Sequence, residues 1–489
     1  MGYKMLFNSF SFLILFPIVF IIYYLIKKDY RYIYLSIVSI LSYIAISPKY
    51  ALLLIVTTVS VYYFALLIGH NTNTSGRLKA KFLFILCIVL NIGILVVCKY
   101  SSFIIGNTNH VLGYLGINNN LSLPFKLFIP LGISFYTLQV LGYLIDVYQG
   151  RVLAEKNFLK ILLFASFFPT IISGPIERSG SLLKQIKQGV EFDYDKIRIG
   201  YLTILWGYYE KFVLADIIHP IVINSFESYD QFGALNMILA TLLYSVELYA
   251  DFSGYSHIAI GASGMLGYDI CPNFKQPYFA TSIKEFWRRW HISLSSYLRD
   301  YLYIPLGGSR CSKIKLYRNL FVTFLVSGIW HGVGWCFIVW GILHGLYQII
   351  GSLTSKIRTQ IRKILKLDDK CFSYRLFQMF ITFLFVSFGW FFFRADSLRS
   401  ACKMLEHGIT NIHNYSIIDG NAIKNILLFM LPLILVDILK EKGIDPQRQI
   451  LKQNYIFRWG IYIIGAVAIL IIMIRNFGVD ASNFIYAQF

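Results

Sequence analysis

Residues 319–350 read NLFVTFLVSGIWHGVGWCFIVWGILHGLYQII, two apolar runs joined by the turn WHGVG. Basic residues flank the pair on both sides, and short basic loops are typical of the cytoplasmic side of a membrane. They are Arg310, Lys313, Lys315 and Arg318 before it, and Lys356, Arg358, Arg362, Lys363 and Lys366 after it. We therefore predict that this segment enters the bilayer and returns. The first run, residues 319–330, would reach about 18 Å into a hydrocarbon core of about 30 Å, so His331 is predicted near mid-membrane.

The composition is that of a polytopic membrane protein. Of 489 residues, 57% are apolar and 14% are charged, and the mean hydropathy is +0.60. The net charge of +20 comes from short loops between apolar runs, which indicates membrane topology and an anion site, not nucleic-acid binding. The seven cysteines show neither CxxC nor Cys/His ligand spacing, so no disulfide framework and no metal site are predicted.

The positive charges predict alternating spans with the N-terminus outside. The apolar run 6–26 is followed by Lys27 and Lys28, which indicates a retained first span and a cytoplasmic loop. The uncharged loop 106–120 then falls outside, and a last span over 457–474 leaves the C-terminus outside. We predict an all-α polytopic protein with about eleven transmembrane helices, plus re-entrant and interfacial helices around a central cavity. It is predicted to be one membrane-embedded domain, residues 1–489, comprising N-terminal spans 1–125, a catalytic core 126–355 and C-terminal spans 356–489.

Residues 158–176 break this alternation, because basic loops lie on both sides of the segment. Its centre reads FFPTIISGP, and such helix-breaking backbone is tolerated in a membrane only when it is buried in protein or lines a wet cavity. We predict a re-entrant or broken element here. An ordinary kinked span is the alternative interpretation.

His331 is the first candidate functional residue. An ionisable side chain at that depth must face an aqueous cavity or a partner, which marks it as a functional candidate. A histidine that bonds a backbone carbonyl freed by the turn would look the same in sequence. His344 lies 13 residues further on, about 220° around a continuous helix, and is predicted to serve in packing.

A second cluster lies upstream, in KEFWRRWH at residues 284–291. Glu285 and Arg289 are spaced for an i,i+4 ion pair, and the two tryptophans suit a membrane interface. Ser295 follows one turn after His291, and the turn PLGGSR, which ends at Arg310, has backbone amides that could hold an anion. The alternative is an amphipathic interfacial helix without a site.

Two further polar groups lie within apolar sequence. Glu247, Asp251 and Tyr255 are spaced by four and should share a helix face that points inward. The two carboxylates could orient a histidine, line a polar path, or brace Arg288 or Arg289. Glu210 and Lys211 are predicted to form an internal ion pair.

Several of these motifs resemble the membrane-bound O-acyltransferase superfamily. Within it they are most similar to the branch of the bacterial alginate O-acetylation membrane protein, from about Tyr50 to Phe489. The motifs are EFWRRWHISLSSYLRDYLYIPLGG (285–308), SGIWHG (327–332), PLGISFYTLQVLGYLIDVY (130–148), SGPIERSGSLL (173–183), GWFFFRADS (389–397) and the terminal FIYAQF (484–489). The sequence departs from the branch at His257, where an acid is expected, and at Ala487, where an aromatic is expected.

The resemblance implies an enzyme that moves an acyl group, usually acetyl, from a cytoplasmic thioester to a hydroxyl on an exported polysaccharide. Its two characteristic histidines correspond to His291 and His331, and histidine has the near-neutral pKa that a base for such a transfer requires. We predict His331 as that base and His291 as the residue that positions the donor or assists proton transfer. The residues predicted to bind the donor or support the site are Arg288, Arg289, Trp290, Arg310, Glu285, Asp251, Glu247, Ser295 and Trp330.

The resemblance also implies a donor, partners and a cellular location. The donor would be acetyl-CoA or an acyl-carrier thioester, with no tightly bound cofactor and no metal. Membrane lipid, the polysaccharide and an extracytoplasmic acetyltransferase protein are the expected partners, at a bacterial cytoplasmic membrane. Two alternatives stay open: D-alanyl or other acyl transfer to a cell-wall polymer, and a non-catalytic scaffold for envelope enzymes.

Overall fold

The computed structural model describes residues 10–70, 76–117, 121–122, 129–368, 371–412 and 420–475. These residues form helices and connecting segments, with no β-strand among them, so the prediction of an all-α fold is confirmed for this part of the chain. The terminal FIYAQF motif with Ala487, and the start of the predicted first span, lie outside the described residues. Contacts divide the chain into two compact units, and the single domain predicted from the sequence stays a prediction.

The first unit contains residues 1–200 and 259–271. Within it, α3 packs against α4 and α5, and α2 packs against α6. The helices that begin in this unit are α1 Phe10–Leu25, α2 Arg31–Ile46, α3 Pro48–His70, α4 Arg77–Tyr114, α5 Ile133–Tyr148, α6 Phe158–Ser166, α7 Lys184–Gln188 and α8 Tyr194–Tyr208. Residues 106–114 of the predicted loop 106–120 are therefore helical, because α4 continues through them, and their location outside the membrane stays a prediction.

The second unit contains residues 201–258 and 272–489. A π-helical segment, Tyr209–Ala215, joins α8 to α9 and packs against α18 and α20. The helices are α9 Asp216–Glu227, α10 Ala234–Met265, α11 Ile283–Arg289, α12 Ile292–Leu298, α13 Lys313–His331, α14 Trp335–Leu353, α15 Ser355–Ile364, α16 Phe372–Arg394, α17 Leu398–Thr410, α18 Gly420–Glu441, α19 Pro446–Leu451 and α20 Tyr455–Arg475. Helix α10 is assigned to this unit as far as Ile258.

Six helices in the described part of the chain are long and apolar enough to cross a membrane. They are α3, α4, α14, α16, α18 and α20, the last over Tyr455–Ile472. Their outward faces carry many exposed Leu, Ile and Phe side chains, which suits contact with lipid. The larger number of spans predicted from the sequence, the central cavity and the positions of both termini stay predictions.

Helices α13 and α14 form the hairpin that residues 319–350 predicted. The reversal falls at residues 332–334, where helix α13 ends at His331 and α14 begins at Trp335. The inbound helix begins at Lys313, six residues before the predicted start, because its basic first turn is also helical. The depth of His331 in the bilayer stays a prediction.

Two glycines allow the close packing of this hairpin. A Cβ atom added at Gly341 would lie 2.6 Å from the carbonyl oxygen of Phe324, and one added at Gly328 would clash with the carbonyl oxygen of Phe337. Both neighbours are backbone atoms, which cannot rotate away.

We expect Gly341→Ala to lower the free energy of unfolding by about 1–3 kcal/mol, because the added methyl group forces α13 and α14 apart. Gly351→Ala on the same helix is the control, since nothing lies within 4 Å of its added Cβ. That change should be neutral or stabilise by up to about 1 kcal/mol through helix propensity. Thermal unfolding of the detergent-purified variants measures both, and equal shifts of the same sign would exclude hairpin packing as the cause.

The broken element predicted at residues 158–176 is confirmed. Helix α6 ends at Ser166, and a buried non-helical segment continues to Arg178. Side chains form hydrogen bonds with some of the backbone groups that have no helical partner here. The Gln139 side chain donates to the carbonyl of Phe164 and accepts from the amide of Glu177 at 3.2 Å. The amide of Phe168 donates to the Ser39 hydroxyl at 3.2 Å. Satisfied in this way, irregular backbone is stable away from water.

Candidate functional site

The structure brings His291 and His331 together in the second unit. Their ring centroids lie 6.0 Å apart, and the side chains are 0% and 2% exposed. Trp330 lies beside both histidines, with its ring 5.0 Å from His331 and 6.1 Å from His291. Trp340 and Phe393 complete the wall around His331, at 5.0 and 5.5 Å. We call these five side chains the histidine cage.

His331 is fixed by its place at the end of α13. The helix stops there because Gly332 is extended, with φ −157°. A Cβ at Gly332 would clash with the ring of Phe337, so only glycine allows this close approach. The Phe337 ring in turn packs edge-on against Phe393 at 5.0 Å. The turn thus places the imidazole against the aromatic face of α14 and α16.

His291 adopts a left-handed backbone conformation, with φ 43° and ψ 53°. This conformation costs a non-glycine residue about 1–3 kcal/mol and persists only where the surroundings impose it. Here Asn273 imposes it: the backbone amide of Ile292 donates to its carbonyl at 2.9 Å, and the Ser293 hydroxyl donates to its side chain at 2.6 Å. Asn273 is itself anchored by a hydrogen bond to Ser256 at 3.0 Å.

The same kink turns the His291 ring into an apolar environment. The ring of Phe252 meets it edge-on, with centroids 4.8 Å apart. Burial lowers the pKa of the His291 imidazole to about 3, so the ring is neutral at physiological pH. A neutral imidazole can donate a hydrogen bond from one nitrogen and accept one at the other.

His344 is buried beside the cage, and its aromatic contacts agree with the packing role predicted for it. Its Nδ1 accepts a hydrogen bond from the Trp287 indole at 3.1 Å, and its ring lies 4.9 Å from Trp340, a member of the cage. The predicted angle of about 220° assumed a continuous helix, but residues 332–334 break it. The spacing of four between Trp340 and His344 on α14 was the available signal.

The tryptophans of the upstream motif are buried in the protein and do not face lipid, while the position of their helix at the membrane interface stays a prediction. Trp290 is 0% exposed and packs against Trp390, Phe274 and Phe286 at 5.0 to 5.4 Å. Trp287 is 8% exposed and bonds His344. Ser295 donates to the carbonyl of Trp290 at 3.2 Å. These contacts support the cage from behind.

The predicted i,i+4 pair of Glu285 and Arg289 is confirmed at 2.7 Å. Arg289 also pairs with Glu441 of α18 at 2.6 Å, so its guanidinium is held between two carboxylates. Arg288 and Arg310 are exposed, and the described residues offer neither of them a hydrogen bond or ion pair. The structure does not join the three arginines, and donor binding by them stays a prediction.

A ladder of buried and half-buried ionisable side chains lies along α10. Glu247 and His219 form a hydrogen bond at 2.6 Å, and so do Glu210 and His257, also at 2.6 Å. Between them, Asp251 forms an ion pair with Lys211 at 2.6 Å. Lys211 also pairs with Asp216 at 3.1 Å. We call these side chains the α10 ladder.

The ladder corrects two interpretations of the sequence and supports a third. Glu210 and Lys211 pair with residues of α10 and not with each other. Neither carboxylate of α10 braces the arginines, since Arg289 binds Glu285 and Glu441. Glu247 does bond a histidine, but that residue is His219 and not a member of the cage. The shared inward face of Glu247 and Asp251 is confirmed, with both residues at most 2% exposed.

The cage is suited to proton transfer away from water. Two imidazoles close together in an aromatic enclosure can take a proton from a hydroxyl group and pass it to a leaving group. Exclusion of water also protects a reactive ester from hydrolysis.

Comparison with known proteins adds a family. The model of the MBOAT, membrane-bound O-acyltransferase family, matches residues 153–387, which include both histidines of the cage. A protein of Pseudomonas aeruginosa named "Probable alginate O-acetylase" is 37% identical over 82% of this chain and 74% of its own length. The peptidoglycan O-acetyltransferase of Helicobacter pylori is 33% identical over 85% of this chain and 81% of its own. The teichoic acid D-alanyltransferase of Bacillus subtilis is 29% identical over 55% of this chain and 70% of its own.

Proposed function

The chain belongs to the membrane-bound O-acyltransferase family, and we propose that it moves an acetyl group from a cytoplasmic thioester toward hydroxyls of an exported cell-surface polysaccharide. That it is an acyltransferase of a membrane follows from the family and from relatives named as O-acetylases. The main support for the proposed site of this reaction is the pair of buried imidazoles of His291 and His331, whose ring centroids lie 6.0 Å apart.

In the proposed mechanism His331 is the general base. It takes the proton from the acceptor hydroxyl as the oxygen attacks the thioester carbonyl carbon, which forms a tetrahedral intermediate. The intermediate collapses by breaking the carbon–sulfur bond, and the imidazolium returns its proton to the departing thiolate. An oxygen ester and a free thiol result, with no net gain or loss of protons. Trp340 and Phe393 hold the His331 ring in place through this cycle.

His291 is proposed to position the thioester. At a centroid distance of 6.0 Å, both imidazoles can contact one bound acyl group. The N–H of the His291 imidazole would donate a hydrogen bond to the carbonyl oxygen on which negative charge develops. The donor, acetyl-CoA or an acyl-carrier thioester, is a substrate, and the proposal requires no tightly bound cofactor.

The proposed acceptor follows from the names of the relatives. Alginate and peptidoglycan appear in the names of proteins that match most of this chain, so a surface glycan is the expected final acceptor. Transfer runs directly to the glycan or through an extracytoplasmic acetyltransferase partner. The proposed location is a bacterial cytoplasmic membrane, with both termini outside.

Transfer of D-alanine to a cell-wall polymer is the second candidate. The D-alanyltransferase of Bacillus subtilis supports it, although that similarity covers 55% of this chain against 85% for the Helicobacter pylori relative. Both acyl groups form alkali-labile esters, so one hydrolysis distinguishes them.

The test compares surface glycans from a strain lacking the gene with those from a complemented strain. Mild alkali releases esterified acids, and we expect acetate to disappear on deletion and return on complementation. The glycan fraction that loses acetate identifies the acceptor. Loss of D-alanine in place of acetate would favour the second candidate, and unchanged esters in the deletion strain would contradict both.

A further inference from the structure

A basic cavity of about 260 Å³ lies within the first unit, outside the site described above. Its lining includes four cationic side chains, Lys28, Arg31, Lys160 and Lys187, together with Tyr32. They come from the loop after α1, from the first turn of α2, from α6 and from α7. We propose that this cavity binds a phosphate ester, and that its occupant is the phosphodiester headgroup of an anionic membrane lipid.

Arg31 is held in a fixed position at the cavity. Its Nε donates to the carbonyl of Ile26 at 3.0 Å, and one terminal nitrogen donates to the carbonyl of Val190 at 3.1 Å. The guanidinium also lies over the rings of Tyr23 and Tyr24, at 5.1 and 5.0 Å. A cation fixed in this way loses little side-chain entropy when an anion binds, and an Arg guanidinium forms strong hydrogen bonds with phosphate oxygens.

The charges around the cavity leave a positive excess. Lys28 pairs with Glu191 at 2.6 Å and Lys187 pairs with Glu155 at 2.7 Å, although neither glutamate belongs to the lining. Asp29, a residue of the lining, is the third carboxylate beside these cations. Lys160 lies over the ring of Tyr32 at 5.2 Å and has no carboxylate within ion-pair distance in the described part of the chain. Four cations against three carboxylates give an excess of one positive charge. A phosphodiester, which carries one negative charge, matches that excess better than a phosphomonoester.

The surroundings favour a lipid as the source of the phosphate. The two basic loops that meet here, joined by the Lys28–Glu191 pair, are both predicted to be cytoplasmic. Directly before Lys28, helix α1 presents Leu25 and Ile21, which are 80% and 57% exposed. Phe192, beside Tyr24, is 59% exposed. A headgroup in the cavity would therefore have apolar protein surface next to it for its acyl chains.

The test measures binding to the full-length protein in detergent, without acyl transfer. The probes are phosphatidylglycerol, phosphatidylcholine, coenzyme A and inorganic phosphate, and the readout is the rise of the thermal unfolding midpoint with probe concentration. We expect phosphatidylglycerol to stabilise the protein, phosphatidylcholine to do so much less, and Lys160→Gln to weaken the apparent affinity for phosphatidylglycerol about tenfold.

Lys79→Gln is the matched control, because Lys79 is an exposed lysine of the same unit and does not line the cavity. It should bind phosphatidylglycerol like the wild type. A Lys160-dependent response to coenzyme A or to inorganic phosphate, but not to phosphatidylglycerol, would support a phosphate site and overturn the lipid as its occupant. Equal affinity in both variants, or no response to any probe, would overturn the site.

Discussion

Acetate released by alkali from the surface glycans should fall to the level of the deletion strain when His331 is replaced by alanine. The imidazole is the proposed base, and loss of a positioned general base lowers a rate by about 10²–10⁴-fold. The side chain is 2% exposed, and three aromatic rings lie within 5.5 Å of it, so no water can easily take its place. The measurement is acetate per unit of glycan in a deletion strain complemented with each variant.

Two controls separate chemistry from folding. His110→Ala changes an exposed histidine on α4 and should restore acetate fully. The amount and the thermal unfolding midpoint of the His331→Ala protein in membranes must match those of the wild type. If His331→Ala restores acetate when its amount in membranes matches that of the wild type, His331 is not the base, and the result favours a non-catalytic scaffold.

Lys211→Met should be the most destabilising single change in the α10 ladder. The ammonium lies between Asp251 at 2.6 Å and Asp216 at 3.1 Å, and the Asp251 side chain is 1% exposed. Breaking a buried ion pair by removal of one partner costs about 3–5 kcal/mol, because the remaining charge is left desolvated. We expect a strongly reduced amount of folded protein in membranes and a lower thermal midpoint in detergent.

The double variant Lys211→Met with Asp251→Asn tests whether the carboxylate left without its partner causes the loss of stability. It removes both charges and should recover part of the lost stability, which a double-mutant cycle measures as a coupling energy. Lys196→Met is the control, since its pair with Asp269 is half exposed, and such surface pairs contribute about 0–1 kcal/mol. Similar losses for Lys211→Met and Lys196→Met would show that the buried pair does not stabilise the second unit.

The sequence determined those features that depend on neighbouring residues. Apolar runs between basic loops predicted the helical membrane protein, and the glycines of WHGVG predicted a reversal where α13 gives way to α14. The two prolines and the glycine within 158–176 predicted the end of a helix, which falls at Ser166. Hydrophobicity and backbone preference act over a few residues, so these predictions needed no knowledge of distant contacts.

Only the tertiary structure decided which side chains meet. In the sequence His291 and His331 belong to two motifs and lie 40 positions apart, and folding brings their ring centroids to within 6.0 Å of each other. The direction of His344 was predicted from one continuous helix, but two helices meet at a turn, and the His344 ring packs against Trp340 of the cage. Glu210 and Lys211 are neighbours in sequence, yet each pairs with a residue of α10. The physical reason is that burial forces each charge to find a partner in space, and partners in space are set by helix packing rather than by sequence spacing.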